Sequence, residues 1–349
     1  MKIIRRNNKA SKFNIMVPVE NSNEIILFNS KECSFVVLDE KHKGFINDIN
    51  QLNTYEEDVV LNLVELGFLV DENLNEIDKI KEETKKARIS SESLSITIAT
   101  TLDCNMNCYY CFENKSKTKK YMTKDVADKI INHIIARLSE GNHKKLMIIW
   151  TGGEPLLNKD IIEYISTPLI NYCEEKELEY RASTITNGLL LTEKTAKFLE
   201  AMKVREVQVT IDGLEDTHNK RRFSLDRYNS FQTILDNINI AHKYLAVVIR
   251  VNIDHNNKHE IKQLLDYLHN TMEYKNKEKV TVSLAQVNDS AYSLSLEEFL
   301  DFYRDIYDDY ILDNKLEKYY PVHLRFACGA QCKDSYVIGP EADVYRCWE

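Results

Sequence analysis

This chain lacks long apolar runs and has few prolines and glycines. It contains no run of about 18 apolar residues, which excludes a membrane-spanning helix. The N-terminus, M-K-I-I-R-R-N-N-K-A-S-K, is basic but lacks the apolar segment that a secretory signal needs. Five prolines and nine glycines leave little material for long disordered linkers. Positive charge is not in excess either: the formal charge is −9, which argues against a general affinity for nucleic acid or an anionic membrane. The expectation is a cytoplasmic protein of two or three domains, with neither nucleic acid nor membrane among its partners.

What the chain does have is eight cysteines, six of them in two clusters: Cys104, Cys108 and Cys111, then Cys328, Cys332 and Cys347. In a reducing compartment clustered cysteines are metal ligands more often than disulfides. Cys33 and Cys173 stand alone and read as small buried hydrophobes.

From residue 94 onward, strand-like and helix-like pieces alternate, the pattern of a parallel α/β fold. The strands are expected at 94–100, 145–150, 181–186, 206–211, 246–253 and 279–285. The helices are expected at 123–138, 158–176, 192–202, 228–244, 257–272 and 295–311. Six β/α units fall short of the eight in a closed barrel, so the architecture is an open, partial (β/α)6 barrel. Before it, a hairpin (13–28), a third apolar piece (33–38), a helix (56–66) stopped by Gly67 and a short strand (68–71) make a small α+β module of winged-helix kind. Its acidic surroundings speak against binding DNA. Residues 78–88 are charged without a wide apolar face and read as a solvated linker helix.

The first cysteine cluster follows the strand L-S-I-T-I-A-T, on a loop at the strand's C-terminal end, where α/β enzymes place their chemistry. Structural zinc sites and electron-transfer [4Fe–4S] clusters take four protein ligands, and here three occur together. Spacing alone leaves three readings: a [4Fe–4S] cluster with one iron open to a ligand, zinc with a remote fourth ligand, or unligated thiols. One unit later, W-T-G-G-E-P-L-L (150–157) follows the second strand. Its paired glycines permit close backbone approach to a ligand, and Glu154 can accept hydrogen bonds from an ammonium group. The same string also suits a plain turn ahead of a capped helix.

C-x-x-x-C-x-Tyr-C, with Tyr110 as its aromatic residue, resembles the signature of the radical S-adenosylmethionine (SAM) enzymes, and G-G-E-P resembles the motif that holds SAM's amino group. The resemblance implies that Cys104, Cys108 and Cys111 bind a catalytic [4Fe–4S] cluster, and that Tyr110, Gly152, Gly153 and Glu154 belong to the SAM site. T-N-G (186–188), V-T-I-D-G (209–213) and R-V-N-I-D (250–254) resemble the segments that meet SAM's ribose and carboxylate, which assigns Asn187, Thr210 and Arg250 to cofactor binding. T-H-N-K-R-R resembles the family's H-x-x-x-R segment through His218 and Arg222; a surface salt bridge is the plain reading of Arg221 and Arg222.

Residues 328–347 are similar to the opening of a SPASM or twitch module, which would bind an auxiliary [4Fe–4S] cluster through Cys328, Cys332 and Cys347. Ala342 stands where glycine is usual. Such a module continues with further cysteines, so the expectation is a C-terminally truncated enzyme; a disulfide or zinc hairpin is the plain alternative. The resulting layout is a leader-recognition domain (1–75), a linker helix (76–93), the partial barrel (94–315) and the start of a SPASM/twitch module (316–349). The resemblance implies a maturase that cleaves SAM to a 5′-deoxyadenosyl radical and modifies a ribosomally synthesised precursor peptide, a thioether cross-link in a cysteine-rich precursor being one such change. A flavodoxin or ferredoxin would supply the electron. An anaerobic sulfatase-maturing, formylglycine-generating enzyme is the alternative within the family. A non-catalytic zinc or redox-sensing protein is the alternative outside it.

Overall fold

A computed structural model describes residues 7–89, 92–111, 113, 118–226, 229–271, 279–287, 291–306 and 328–347. These divide into two compact units, residues 7–89 with Cys328 and residues 92–306 with 329–347.

In the first unit, β1 (Asn8–Ala10) pairs antiparallel with β5 (Leu69–Asp71), and β2 (Asn14–Pro18), β3 (Ile25–Asn29) and β4 (Ser34–Leu38) form an antiparallel meander in that order. Alternation sets the faces of the meander: Leu27 and Leu38 enter a core with Phe45, Leu52, Val60, Leu63 and Phe68, while Ile15, Val17, Phe35 and Val37 point outward. Helix α1 (Glu57–Glu65) buries Val60 and Leu63 and ends at Gly67, whose φ of +79° a side chain would resist. Helix α2 (Glu76–Ile89) is solvated over residues 78–88 as expected, and its first turn is tied to the unit. Glu76 is buried and accepts from Ser11 Oγ at 2.6 Å and Lys12 N at 2.9 Å. Cys33 departs from the expected buried hydrophobe: it is half-buried with φ +54°. Cys173 matches that expectation.

The second unit is an α/β fold around an eight-stranded sheet. Strands β6 (Ser93–Ala99), β8 (Lys145–Thr151), β9 (Glu179–Thr186), β10 (Val204–Thr210), β12 (Ala246–Ile253) and β13 (Val280–Gln286) run parallel, each hydrogen-bonded to the next. Between and after them come α3 (Lys124–Glu140), α4 (Lys159–Glu175), α5 (Glu193–Ala201), α6 (Glu215–Arg221), α7 (Ser230–Ala241), α8 (Ile261–Thr271) and α9 (Leu296–Ile306). This is the partial parallel (β/α)6 barrel that the periodicity predicts. Residues 307–311 of the last predicted helix, and 316–327 of the predicted third domain, lie outside the described residues.

Strict alternation orients the barrel strands. On β12, Val247, Ile249, Val251 and Ile253 are buried, while Val248, Arg250 and Asn252 take the other face. Polar side chains Gln208, Thr210, Arg250, Asn252 and Gln286 therefore line the inside. Helix starts match their caps: Thr123, Thr192 and Asn229 each accept a backbone N–H of the first turn.

Periodicity did not reveal two pairings. Strand β7 (Met106–Cys108), within the cysteine loop, pairs antiparallel with β11 (Arg222–Ser224), placing Arg222 opposite Cys108. Strand β14 (Ser335–Ile338) adds in parallel to the free side of β6, and β15 (Val344–Tyr345) turns back on it. The second cysteine segment thus extends the barrel's own sheet, as a hairpin whose turn holds Ala342 at φ +68°. The turn is kept where glycine is usual, at the cost of a left-handed alanine.

Candidate active site

Loops at the C-terminal ends of the parallel strands surround a cavity of about 1310 Å³. Cys104, Cys108, Cys111, Tyr110, Gly152, Gly153, Asn187, Thr210 and Arg250 all line it. The structure therefore brings together the cysteine triad and every residue assigned to the cofactor except Glu154.

The two glycines join loop to loop. Gly153 N donates to Thr101 O at 3.0 Å and Glu154 N to Asp103 O at 2.9 Å, so the G-G-E segment lies flat against the backbone leading into Cys104. A Cβ on Gly152 would stand 2.2 Å from Thr101 O, and one on Gly153 2.3 Å from Asp103 O. Glycine is required here for the packing of two backbones as well as for access to the cavity.

Glu154 has another set of partners. Its side chain is fully buried, with Oε1 accepting from Leu156 N (3.0 Å) and Thr186 Oγ1 (2.7 Å) and Oε2 accepting from Asn187 N (2.7 Å). Burial pushes its carboxyl up, against the pull of these three donors. Glu154 thus ties the loop after β8 to the T-N-G end of β9. Asn187 in turn reaches the cysteine loop, its Nδ2 donating to Asn105 Oδ1 at 2.7 Å and standing 3.8 Å from Cys104 Sγ, which also accepts from Met106 N at 3.4 Å. Thr210 and Arg250 are register partners on β10 and β12, and Arg250 Nε donates to Asn252 Oδ1 at 2.8 Å.

The surface salt bridge expected for the arginines is not what forms. Arg221 and Arg222 are 3% and 6% exposed and belong to a buried polar network under the cysteine loop. Tyr110 Oη donates to Asp212 Oδ2 and accepts from Arg222 Nη1 at 2.7 Å and Asn252 Nδ2 at 3.3 Å. Tyr109 Oη donates to Asp254 Oδ2 at 2.6 Å, and Arg221 Nη1 donates to Asp254 Oδ1 at 2.7 Å. Asp212 also accepts from Asn252 N at 2.9 Å. Burial, then the bond to Asp254, pushes the Tyr109 hydroxyl up to about 12. Burial drives His218 well below its ordinary value, with the Arg222 and Arg221 charges acting in the same direction; its Nδ1 accepts from Asp212 N at 3.3 Å. Sequence reasoning quoted V-T-I-D-G and V-N-I-D but carried forward neither aspartate. Their place just past a strand end, opposite two adjacent tyrosines, was the available signal.

Of the second cluster, Cys347 lines the same cavity as the triad, together with Glu341, Asp343 and Tyr345 of its hairpin. Cys332 is half-buried and belongs to the same unit; Cys328 is exposed and groups with the first unit.

Residues 98–268 match the family described as the Radical SAM superfamily. Those residues belong to the radical SAM superfamily. This radical SAM chain is 28% identical over 292 residues to TigE, a radical SAM cyclopropyl synthase of Paramaledivibacter caminithermalis, the match covering 77% of the chain and 58% of TigE. It is 26% identical over 183 residues to a GTP 3′,8-cyclase of Lactiplantibacillus plantarum, covering 51% of each. The chain thus spans little more than half the length of these relatives. Among solved structures, anSMEcpe with bound AdoMet and Cp18Cys peptide superposes with TM-score 0.60 at 22% identity, over 73% of this chain and 74% of that one. Streptococcus suis SuiB bound to S-adenosylmethionine superposes with TM-score 0.50 at 17% identity, over 98% and 83%. These structural likenesses establish the fold.

The superfamily implies an enzyme with SAM and a [4Fe–4S] cluster as its cofactors. The residues fit that pair. Three thiols line one cavity, amide donors stand at Cys104 Sγ, and the glycine pair lines the same cavity. Among the described residues no three of His, Cys, Asp or Glu gather around a single ion. A cubane needs no such gathering, because each thiolate binds its own iron. No helix among the described residues is long and apolar enough to cross a membrane.

Proposed function

We propose that this radical SAM enzyme matures a ribosomally synthesised precursor peptide. Cys104, Cys108 and Cys111 hold the catalytic [4Fe–4S] cluster, and Gly152, Gly153, Tyr110, Asn187, Thr210 and Arg250 form the wall against which SAM binds. Glu154 keeps that wall in place through the end of β9. Bound there, and given one electron from a reductant, the two cofactors would supply radical chemistry at a substrate C–H bond. The chain's own part is to orient both groups, to shield them from water and to admit the peptide.

The observation that carries the peptide reading is Cys347 in the wall of the same cavity, brought there by a hairpin that extends the barrel sheet. A second cysteine module set beside the radical site suits an auxiliary cluster, with Cys332 of the same unit as a further ligand, or the capture of a substrate thiol. The first unit supports the same reading. The outer edge of β4 has no strand partner among the described residues and carries exposed Phe35 and Val37, the arrangement to which an extended leader peptide adds as a strand. SuiB is known bound to its precursor peptide SuiA, and TigE is named a cyclopropyl synthase, so peptide and ring-forming chemistries are both found among similar proteins. A formylglycine-generating activity remains the alternative, and the first unit weighs against it because that type resembles a chain with its first cysteine close to the start.

Anaerobic reconstitution tests the proposal. The wild-type chain should turn brown and form 5′-deoxyadenosine from SAM and dithionite, and a variant with all three cysteines of the triad changed to alanine should do neither. Continued SAM cleavage by that variant contradicts the assignment. Removal of residues 1–90 should abolish precursor binding, and retention of binding contradicts the leader-recognition role.

A further inference from the structure

Tyr109 occupies the position that the cysteine signature leaves open, and it is not part of the cavity wall, whereas Tyr110 is. Arg221 grips it at both ends. Tyr109 N donates to Arg221 O at 3.3 Å, and the Arg221 guanidinium returns to the Tyr109 hydroxyl and lies 5.1 Å from its ring centroid. The same guanidinium lies 5.2 Å from the Tyr110 ring, 2.7 Å from Asp254 Oδ1 and 4.0 Å from Asp212 Oδ2. Two consecutive tyrosines therefore each donate to their own aspartate, at the ends of β10 and β12, and one buried arginine links all four groups. The first half of the loop is held by Gly153 and Glu154 against Thr101 and Asp103 and by Asn187 at Asn105, and β7 adds a three-residue pairing with β11; at Tyr109 the arginine acts on the second half.

We propose that Tyr109, Arg221 and Asp254 form a clamp that holds the cysteine loop in its cluster-binding shape before any iron is present. They are positioning residues that touch neither cluster nor substrate. The proposal rests on the reading of Cys104, Cys108 and Cys111 as cluster ligands. Its physical basis is that a buried arginine beside two carboxylates and two edge-to-face tyrosine rings has few alternative arrangements, so the loop bonded to it inherits that rigidity. An unclamped loop would have to be ordered by the iron itself, which weakens retention.

The test uses the full-length chain with Tyr109→Phe, which keeps the ring and removes the hydroxyl, and Asp254→Asn. Two quantities are measured: amide exchange across residues 104–111 in the apo-protein, and the rate at which reconstituted protein loses iron to a chelator. Both should rise about tenfold or more in each variant, the scale at which partners behind a metal's ligands act. Exchange in β8 and β9 should stay at the wild-type rate. Unchanged exchange at 104–111, or an equal rise throughout the chain, overturns the clamp. If the wild-type protein takes up no iron, the cofactor reading fails, and the apo-protein exchange still decides whether the clamp exists.

Discussion

The backbone amide of Asn187 donates to Glu154 Oε2 at 2.7 Å, joining the end of β9 to the loop after β8. Through this bond the carboxylate acts on the site by holding the wall together.

Glu154→Gln should therefore destabilise the fold as well as the site. An amide in place of the carboxylate turns an N–H group towards at least one donor, Asn187 N or the Thr186 and Leu156 pair. The expected loss is about 1–3 kcal/mol in chemical denaturation of the apo-protein. An unchanged midpoint would mean that Glu154 serves the ligand alone.

Gly152→Ala and Gly153→Ala should each displace the loop against the cysteine segment. The obstacle is a backbone carbonyl, which cannot swing aside as a side-chain tip can. Gly152 also sits at φ +128°, and a strained backbone conformation alone costs about 1–3 kcal/mol. Calorimetry of the apo-proteins and iron content after reconstitution should both fall below wild type.

Ala342→Gly should work the other way. A left-handed alanine costs roughly 1–2 kcal/mol, offset in part by the greater freedom of glycine in the unfolded chain, so the hairpin should gain about 0.5–1 kcal/mol. A raised unfolding midpoint checks it.

Asp254 predicts a pH dependence. Burial pushes its carboxyl up, but the Arg221 and Tyr109 hydrogen bonds more than offset this and hold it below the ordinary value. A carboxyl lowered by folding stabilises the native state above the unfolded pKa, about 3.9 for aspartate, and that contribution is lost as pH falls through the lower folded value. The stability gap between wild type and Asp254→Asn should be widest near neutrality and should shrink as pH falls below about 4. A gap constant down to acid pH would mean that the charge contributes nothing.

Much of this was legible beforehand. Strand β12 begins and ends where the A-V-V-I-R-V-N-I run does, because alternating β-branched residues mark both the strand and its buried face. Gly67 marked the end of its helix, where a left-handed φ of +79° is needed. The pairings β7–β11 and β6–β14 were not legible: each joins segments more than 100 residues apart, and strands of three or four residues carry no readable period. The arginines of T-H-N-K-R-R look like surface charge until the tyrosines and aspartates that neutralise them are brought beside them.

The sequence by itself determined the chemistry available, three thiols on one loop with a glycine pair one unit later, because spacing within a loop and position after a strand are local properties. It also determined the parallel barrel, through the repeated change from one periodicity to the other. Only the tertiary structure decided what stands behind those residues: Glu154 turned inward to hold β9, Tyr109 and Tyr110 tied to Asp254 and Asp212, and Cys347 in the same cavity wall as Cys104. Such partners are chosen by burial, since a buried charge or hydroxyl must find its complement wherever the fold places one.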